Sequence, residues 1–224
     1  MGETTPVRVY LEAGTTRVFA SALDWPGWSR RAKTDEDALE ALAAYAPRYA
    51  VVAKRAGIPF SRASNLTFAV VERIPSRPKG TFSHVDFGAL GEPAEADAEP
   101  LSAAEAKRQT ALLVAAWAVL DDVVAHAPRE LRKGPRGGGR DRDAVAAHVV
   151  GAETAYARKL GVRHKAPTTA AEIAALRADI ATTLAAARVG APPVASGWLP
   201  RYAARRIAWH VLDHAWEIED RSAT

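Results

Sequence analysis

Two histidines four residues apart, His210 and His214 in the run WHVLDHAWE, bear most directly on chemistry. On a helix, positions i and i+4 share a face, so both imidazoles can turn a nitrogen toward one ion. The flanking residues agree with a helix: Ile207, Val211, His214 and Ile218 form an inward stripe, with His210 at its edge. A buried imidazole without a partner costs about 1 to 3 kcal/mol, so two of them at a core edge call for hydrogen bonds, a ligand or a metal. Such pairs also arise in ordinary packing, and a third donor separates the two readings. His148, in AAHVVGAE, lies beside the apolar stripe Val145, Val149, Ala152 and Tyr156 of an earlier helical stretch. Three imidazoles from two helices would hold one divalent ion and leave a position open to water or substrate, as catalytic rather than structural metal sites do. The chain has no cysteine, so a metal must be held by nitrogen and oxygen, and disulfides and cysteine nucleophiles are excluded.

Around this trio stand weaker candidates. Asp213 and Glu217 flank the pair, and Glu217, three residues after His214, is in reach as a further ligand or as an acceptor fixing an imidazole tautomer. The alternative is a carboxylate paired with Arg206 or Arg221. The basic, Gly-rich stretch from Arg132 to Arg140 precedes the helix that bears His148. It is no Walker motif, since no Gly-Lys-Ser/Thr follows, and a solvated connection explains it as well as an anion clamp does; Arg136 and Arg140 are its candidates for binding a carboxylate. Trp198, in a Pro-rich loop before the last helix, is placed to cover an opening. Trp209 and Trp216 are expected to pack, and His84, His126 and His164 fall in a linker, at a helix end and in a turn, where solvation accounts for them.

The elements that must position these residues form two units of different hydrophobic period. In residues 1–74, Val7–Leu11 and Arg17–Ala20 read as a hairpin turned near Gly14. After the breaker Asp24-Trp25-Pro26-Gly27-Trp28, Thr34 and Asp37 open a helix carrying Leu39, Leu42, Ala46, Tyr49 and Ala53, which Pro47 should kink or divide near Ala46. Leu66–Glu72 then closes a ββαβ unit. Residues 75–100, with Pro75, Pro78, Pro93 and Pro100 and no sustained period, read as a linker. In residues 101–224, Ser102 with Glu105 and Thr169 with Glu172 form capping boxes, and four helices of about 20 residues are expected: from Ser102 to about Ala127, from Asp141 to Leu160, from Thr169 toward Gly190, and after Pro200. Short connections make them a four-helix bundle, so the fold class is α+β.

The 224 residues are 48% hydrophobic and 25% charged, which excludes disorder and collagen-like structure. No run approaches the roughly 18 to 20 consecutive apolar residues of a membrane span, and the start lacks a secretory pattern, so no membrane role and a cytoplasmic location are expected. A net charge of +4 is a weak sign of nucleic-acid binding, which ranks last among the readings.

The region from about Leu101 to Arg221 resembles the DinB superfamily, which includes mycothiol-dependent isomerases and bacterial thiol S-transferases. The likeness rests on one histidine of the second bundle helix, His148 in AAHVVGAE, and the HxxxH pair His210 and His214 in WHVLDHAWE. It implies a divalent ion, zinc or nickel, held by these three residues and activating a low-molecular-weight thiol toward a small-molecule substrate, and a bacterial origin. The N-terminal hairpin, the Asp24-to-Trp28 turn and the helix after it look like the HicB fold, which in antitoxins masks a small RNase toxin. Two readings follow: a metal-dependent transferase, isomerase or hydrolase with Arg136, Arg140 and Trp198 at the substrate or thiol, or a non-catalytic two-module binding or stress-response protein whose HicB-like part contacts another protein. A homodimer is open under either.

Overall fold

The computed structural model describes residues 6–60, 66–78, 81–134 and 138–222. Strands β1 (Val7–Ala13), β2 (Val18–Ala22) and β3 (Ser29–Ala32) run antiparallel in succession, and β4 (Phe68–Ile74) lies parallel to β1, giving the order β3-β2-β1-β4. Strand alternation sends Val9, Leu11, Val18 and Ala20 to one face and Tyr10, Glu12, Phe19 and Ser21 to the other. Both faces are buried. The first lies under helices α1 (Asp35–Ala44) and α2 (Ala46–Arg55), whose Ala38, Leu42, Tyr49 and Val52 share its core.

The expected ββαβ unit is therefore βββααβ. The added strand, β3, has only four residues, two of them arginine, and sits at the sheet edge, so neither length nor apolarity announces it. Pro47 divides the helix as its chemistry requires: it occupies the first turn of α2, where no backbone donor is missed.

Four long helices follow: α3 (Ala103–His126), α4 (Arg142–Arg158), α5 (Ala170–Ala186) and α6 (Pro200–Ser222). Both capping boxes form, Ser102 Oγ accepting from Glu105 N at 3.1 Å and Thr169 Oγ1 from Glu172 N at 3.2 Å. α6 packs against α3 and α4, and α5 packs against the same two helices. α3 also has the length and mean hydropathy, 1.2, of a membrane span, although Asp121 and Asp122 break its apolar run; half of that stretch is buried inside the protein, as in a core helix.

The second face of the sheet leans on α6. Phe19 meets Trp209 edge-on with ring centres 5.5 Å apart, joined by Val85 and Leu90. Ala94 covers Tyr10 and Leu23, and Glu12 accepts backbone N–H groups of Gly91 (3.0 Å) and Glu92 (3.1 Å). Residues 75–100, expected as a linker, thus carry buried groups and close the sheet over α6. The turn at Gly27 adds a second joint: φ is +94° there, and a Cβ would come within 2.6 Å of the Leu212 side chain, so only glycine lets this turn lie on the helix. Every residue of α6 from Pro200 to Leu212 is buried. The side opposite the inward stripe is covered as well: Trp209 and Trp216 pack there, as expected, on Phe19 and Tyr45, and Ala208 and Leu212 are buried beside them.

Candidate metal centre

α4 and α6 bring His148, His210 and His214 together. Their ring centres stand 4.7 to 5.1 Å apart, and one nitrogen from each lies within 4.8 Å of the other two. The Nε2 atoms of His148 and His210 are separated by 3.3 Å. Two nitrogens bound to one tetrahedral ion at about 2.0 to 2.1 Å stand about 3.4 Å apart, so this pair already has the spacing of two ligands. His210 is buried, and His148 and His214 are half-buried, which leaves the outer side of the trio open to solvent.

The third histidine is oriented by its neighbours. His214 Nδ1 lies 2.8 Å from Glu217 Oε2, and Glu217 Oε1 accepts from Arg221 Nη1 at 2.7 Å. The hydrogen bond from His214, aided by Arg221, holds the Glu217 carboxyl below its usual range. An ionised carboxylate only accepts, so His214 donates from Nδ1, and Nε2 is the nitrogen left to face an ion. Arg221 in turn donates Nε–H to the Arg132 carbonyl at 2.9 Å, tying the end of α6 to the loop after α3.

Burial pushes His210 down to about 2, with His214, Arg206 and His148 adding positive neighbours. Burial likewise lowers His148, followed by the charges of His214 and Arg140. Both rings are neutral near pH 7, the form that binds a metal. His210 Nδ1 is buried and has no hydrogen-bond partner among the described residues. An all-imidazole set that is convergent and open on one side fits a divalent transition ion such as zinc or nickel.

The remaining candidates fall at different distances from this centre. Glu217 holds His214, whereas Asp213 turns away and pairs with Arg30 of β3 at 3.0 Å, beside a cavity of about 310 Å³ that Glu217 also lines. Position along the helix explains the difference, since i+3 from His214 lies on its face and i−1 does not. Trp198 packs on Tyr156 (4.9 Å) and Tyr202 (5.3 Å), and Tyr156 meets the His210 ring at 5.6 Å, so Trp198 is the outer part of an aromatic wall. Arg140 is exposed, and its charge reaches His148. Arg136 lies outside the described residues. Tyr156, read as apolar packing, and Arg206, read as a surface partner, both adjoin the trio; Arg206 precedes His210 by one helical turn, a signal the sequence held. No protein-family profile, no curated protein and no solved structure matches the chain.

Proposed function

We propose that the chain is a divalent-metal-dependent enzyme of the DinB type, a transferase or isomerase that activates a low-molecular-weight thiol at His148, His210 and His214. The observation that carries this reading is the meeting of three imidazoles from α4 and α6, with two Nε2 atoms 3.3 Å apart. A divalent ion held there supplies Lewis acidity, which brings the pKa of a thiol or a water toward neutrality. The protein's own groups do the rest. His148 and His210 offer neutral lone pairs, Glu217 fixes the tautomer and direction of His214, and Arg221 holds Glu217 in place. Tyr156 and Trp198 shield one side from water, and Arg140 adds positive charge near the open side. Zinc or nickel suits the donor set, and the substrate is a small molecule.

Elemental analysis tests the site directly. About one ion per chain is expected in the wild type and none in His210→Ala; equal metal content in the two removes the proposal. Metal-dependent turnover of electrophiles with mycothiol, bacillithiol or glutathione then tests the reaction.

A second reading, a non-catalytic protein whose HicB-like sheet binds another protein, is favoured by one observation. β4 is an edge strand with Val70 and Val71 exposed, and an unpaired edge of this kind can take a further strand. Absence of turnover together with a tight protein partner that is lost on charging Val71 (Val71→Lys) would favour it.

A further inference from the structure

One turn of α6 carries three buried polar atoms that find no hydrogen-bond partner among the described residues: Arg206 Nη1, Trp209 Nε1 and His210 Nδ1. The guanidinium and indole N–H groups only donate, and the imidazole Nδ1 donates whenever His210 presents Nε2 to an ion. Arg206 is 7% exposed, with its guanidinium carbon 5.3 Å from the Tyr156 ring centre and 4.7 Å from that of Trp209. Both rings also border His210, at 5.6 and 6.1 Å.

No carboxylate pairs with this cation among the described residues. The other arginines of α6 are matched, Arg201 with Glu105, Arg205 with Asp97 and Arg221 with Glu217. Glu12 feels the charge of Arg206, yet its oxygens are taken by the backbone N–H groups of Gly91 and Glu92. A divalent ion among neutral histidines keeps its full charge. The corner between Arg206 and His210 therefore gathers donors and positive charge without an ion-paired carboxylate among the described residues, the reverse of what burial tolerates.

We propose that Arg206, with the Trp209 indole N–H beside it, is an anion-binding subsite, and that the ligand is a small molecule with a carboxylate at this end and a metal-seeking group at the other. The planar guanidinium fork pairs with the two oxygens of a carboxylate, and the aromatic neighbours exclude water from the contact. The subsite stands on its own contacts; only the placement of the ligand's other end rests on the metal reading.

Calorimetric titration of the full chain separates the two. With the zinc-loaded protein, 3-mercaptopropionate is expected to bind at least about tenfold tighter than 2-mercaptoethanol, which carries the same thiol without the carboxylate. Arg206→Met is expected to erase that preference and Arg206→Lys to keep part of it, with metal content unchanged in both. Succinate is expected to bind the metal-free wild type and His210→Ala, and not Arg206→Met. A preference in Arg206→Met equal to the wild type, or no succinate binding by the wild type, overturns the subsite. Loss of zinc uptake in the wild type overturns the metal reading alone, and the succinate arm then decides. Should Arg206→Met fail to fold, by circular dichroism, Arg206→Lys and the wild-type comparison decide.

Discussion

The same two helices hold two kinds of buried polar group. On α4, Glu153 lies five residues after His148, and on α6, Arg205 lies five before His210. Glu153 accepts from Trp117 Nε1 at 2.8 Å and from Arg177 Nε at 3.0 Å, and Arg177 reaches Asp121 as well. Asp97 accepts from Arg205 Nη2 at 2.6 Å and from Ala94 N at 2.8 Å. In both clusters a carboxylate meets a guanidinium, and the chain supplies each charge with its opposite. The histidine cluster gathers three groups of one kind that offer one another no opposite charge, and one of their nitrogens has no partner among the described residues. Polar groups that fasten elements together bring their complements with them. Lone pairs turned toward one another with nothing between them are arranged for something that arrives from outside.

Asp97→Ala breaks a matched cluster and should show the largest effect, because it strands the Arg205 guanidinium in the core. A loss of about 3 to 5 kcal/mol is expected in urea denaturation, with the metal content of the folded protein unchanged. A loss below about 1 kcal/mol would place Arg205 with the open groups instead. Glu12 is the intermediate case, since it receives backbone hydrogen bonds and feels the charge of Arg206 without forming an ion pair with it. Burial pushes its carboxyl up to about 7 from an ordinary 4.5, so the folded state binds its proton more tightly than the unfolded one. Stability should therefore fall as pH rises from about 4.5 to about 7, by about 3 kcal/mol, and Glu12→Gln should flatten that slope in denaturation curves at pH 5 and 8.

The open cluster answers to its ligand. Zinc at about 100 times its Kd should add about 2.7 kcal/mol to the wild type and nothing to His210→Ala, read as a shift in the thermal midpoint that a chelator reverses. The smallest change is the most diagnostic. Glu217→Gln keeps all three histidines but weakens the acceptor that orients His214, and zinc affinity should fall about 10- to 100-fold in a competition titration. An unaltered affinity would mean that His214 needs no such support.

Much of this contrast was legible in the chain. The i, i+4 spacing of His210 and His214 fixed their shared face, and both capping boxes marked helix starts through purely local chemistry. His148 could be placed beside a core stripe, but its approach to His210 depends on how α4 packs on α6, which no local pattern encodes. The same limit hid β3, whose Arg30 and Arg31 look like loop residues until Asp213 and the sheet are in place. It hid the cover formed by residues 82–98 too, because Val85, Leu90 and Ala94 are buried singly, by long-range contact, without a period. Asp213 and Glu217 both flank the pair, but only Glu217 has the spacing to reach His214. The i+3 spacing already put Glu217 on the face of His214, whereas the partner of Asp213, Arg30 of β3, comes from a distant part of the chain.

Because α6 follows every other described element in the chain while its surface completes both the sheet and the helical cluster, neither part can finish its core during synthesis until the helix has left the ribosome. Up to that moment Phe19 and Tyr10 on one side and Leu112 and Val149 on the other lack their central neighbour. The nascent chain is then at its most prone to aggregation, and premature termination anywhere before Pro200 should leave both regions without a stable fold.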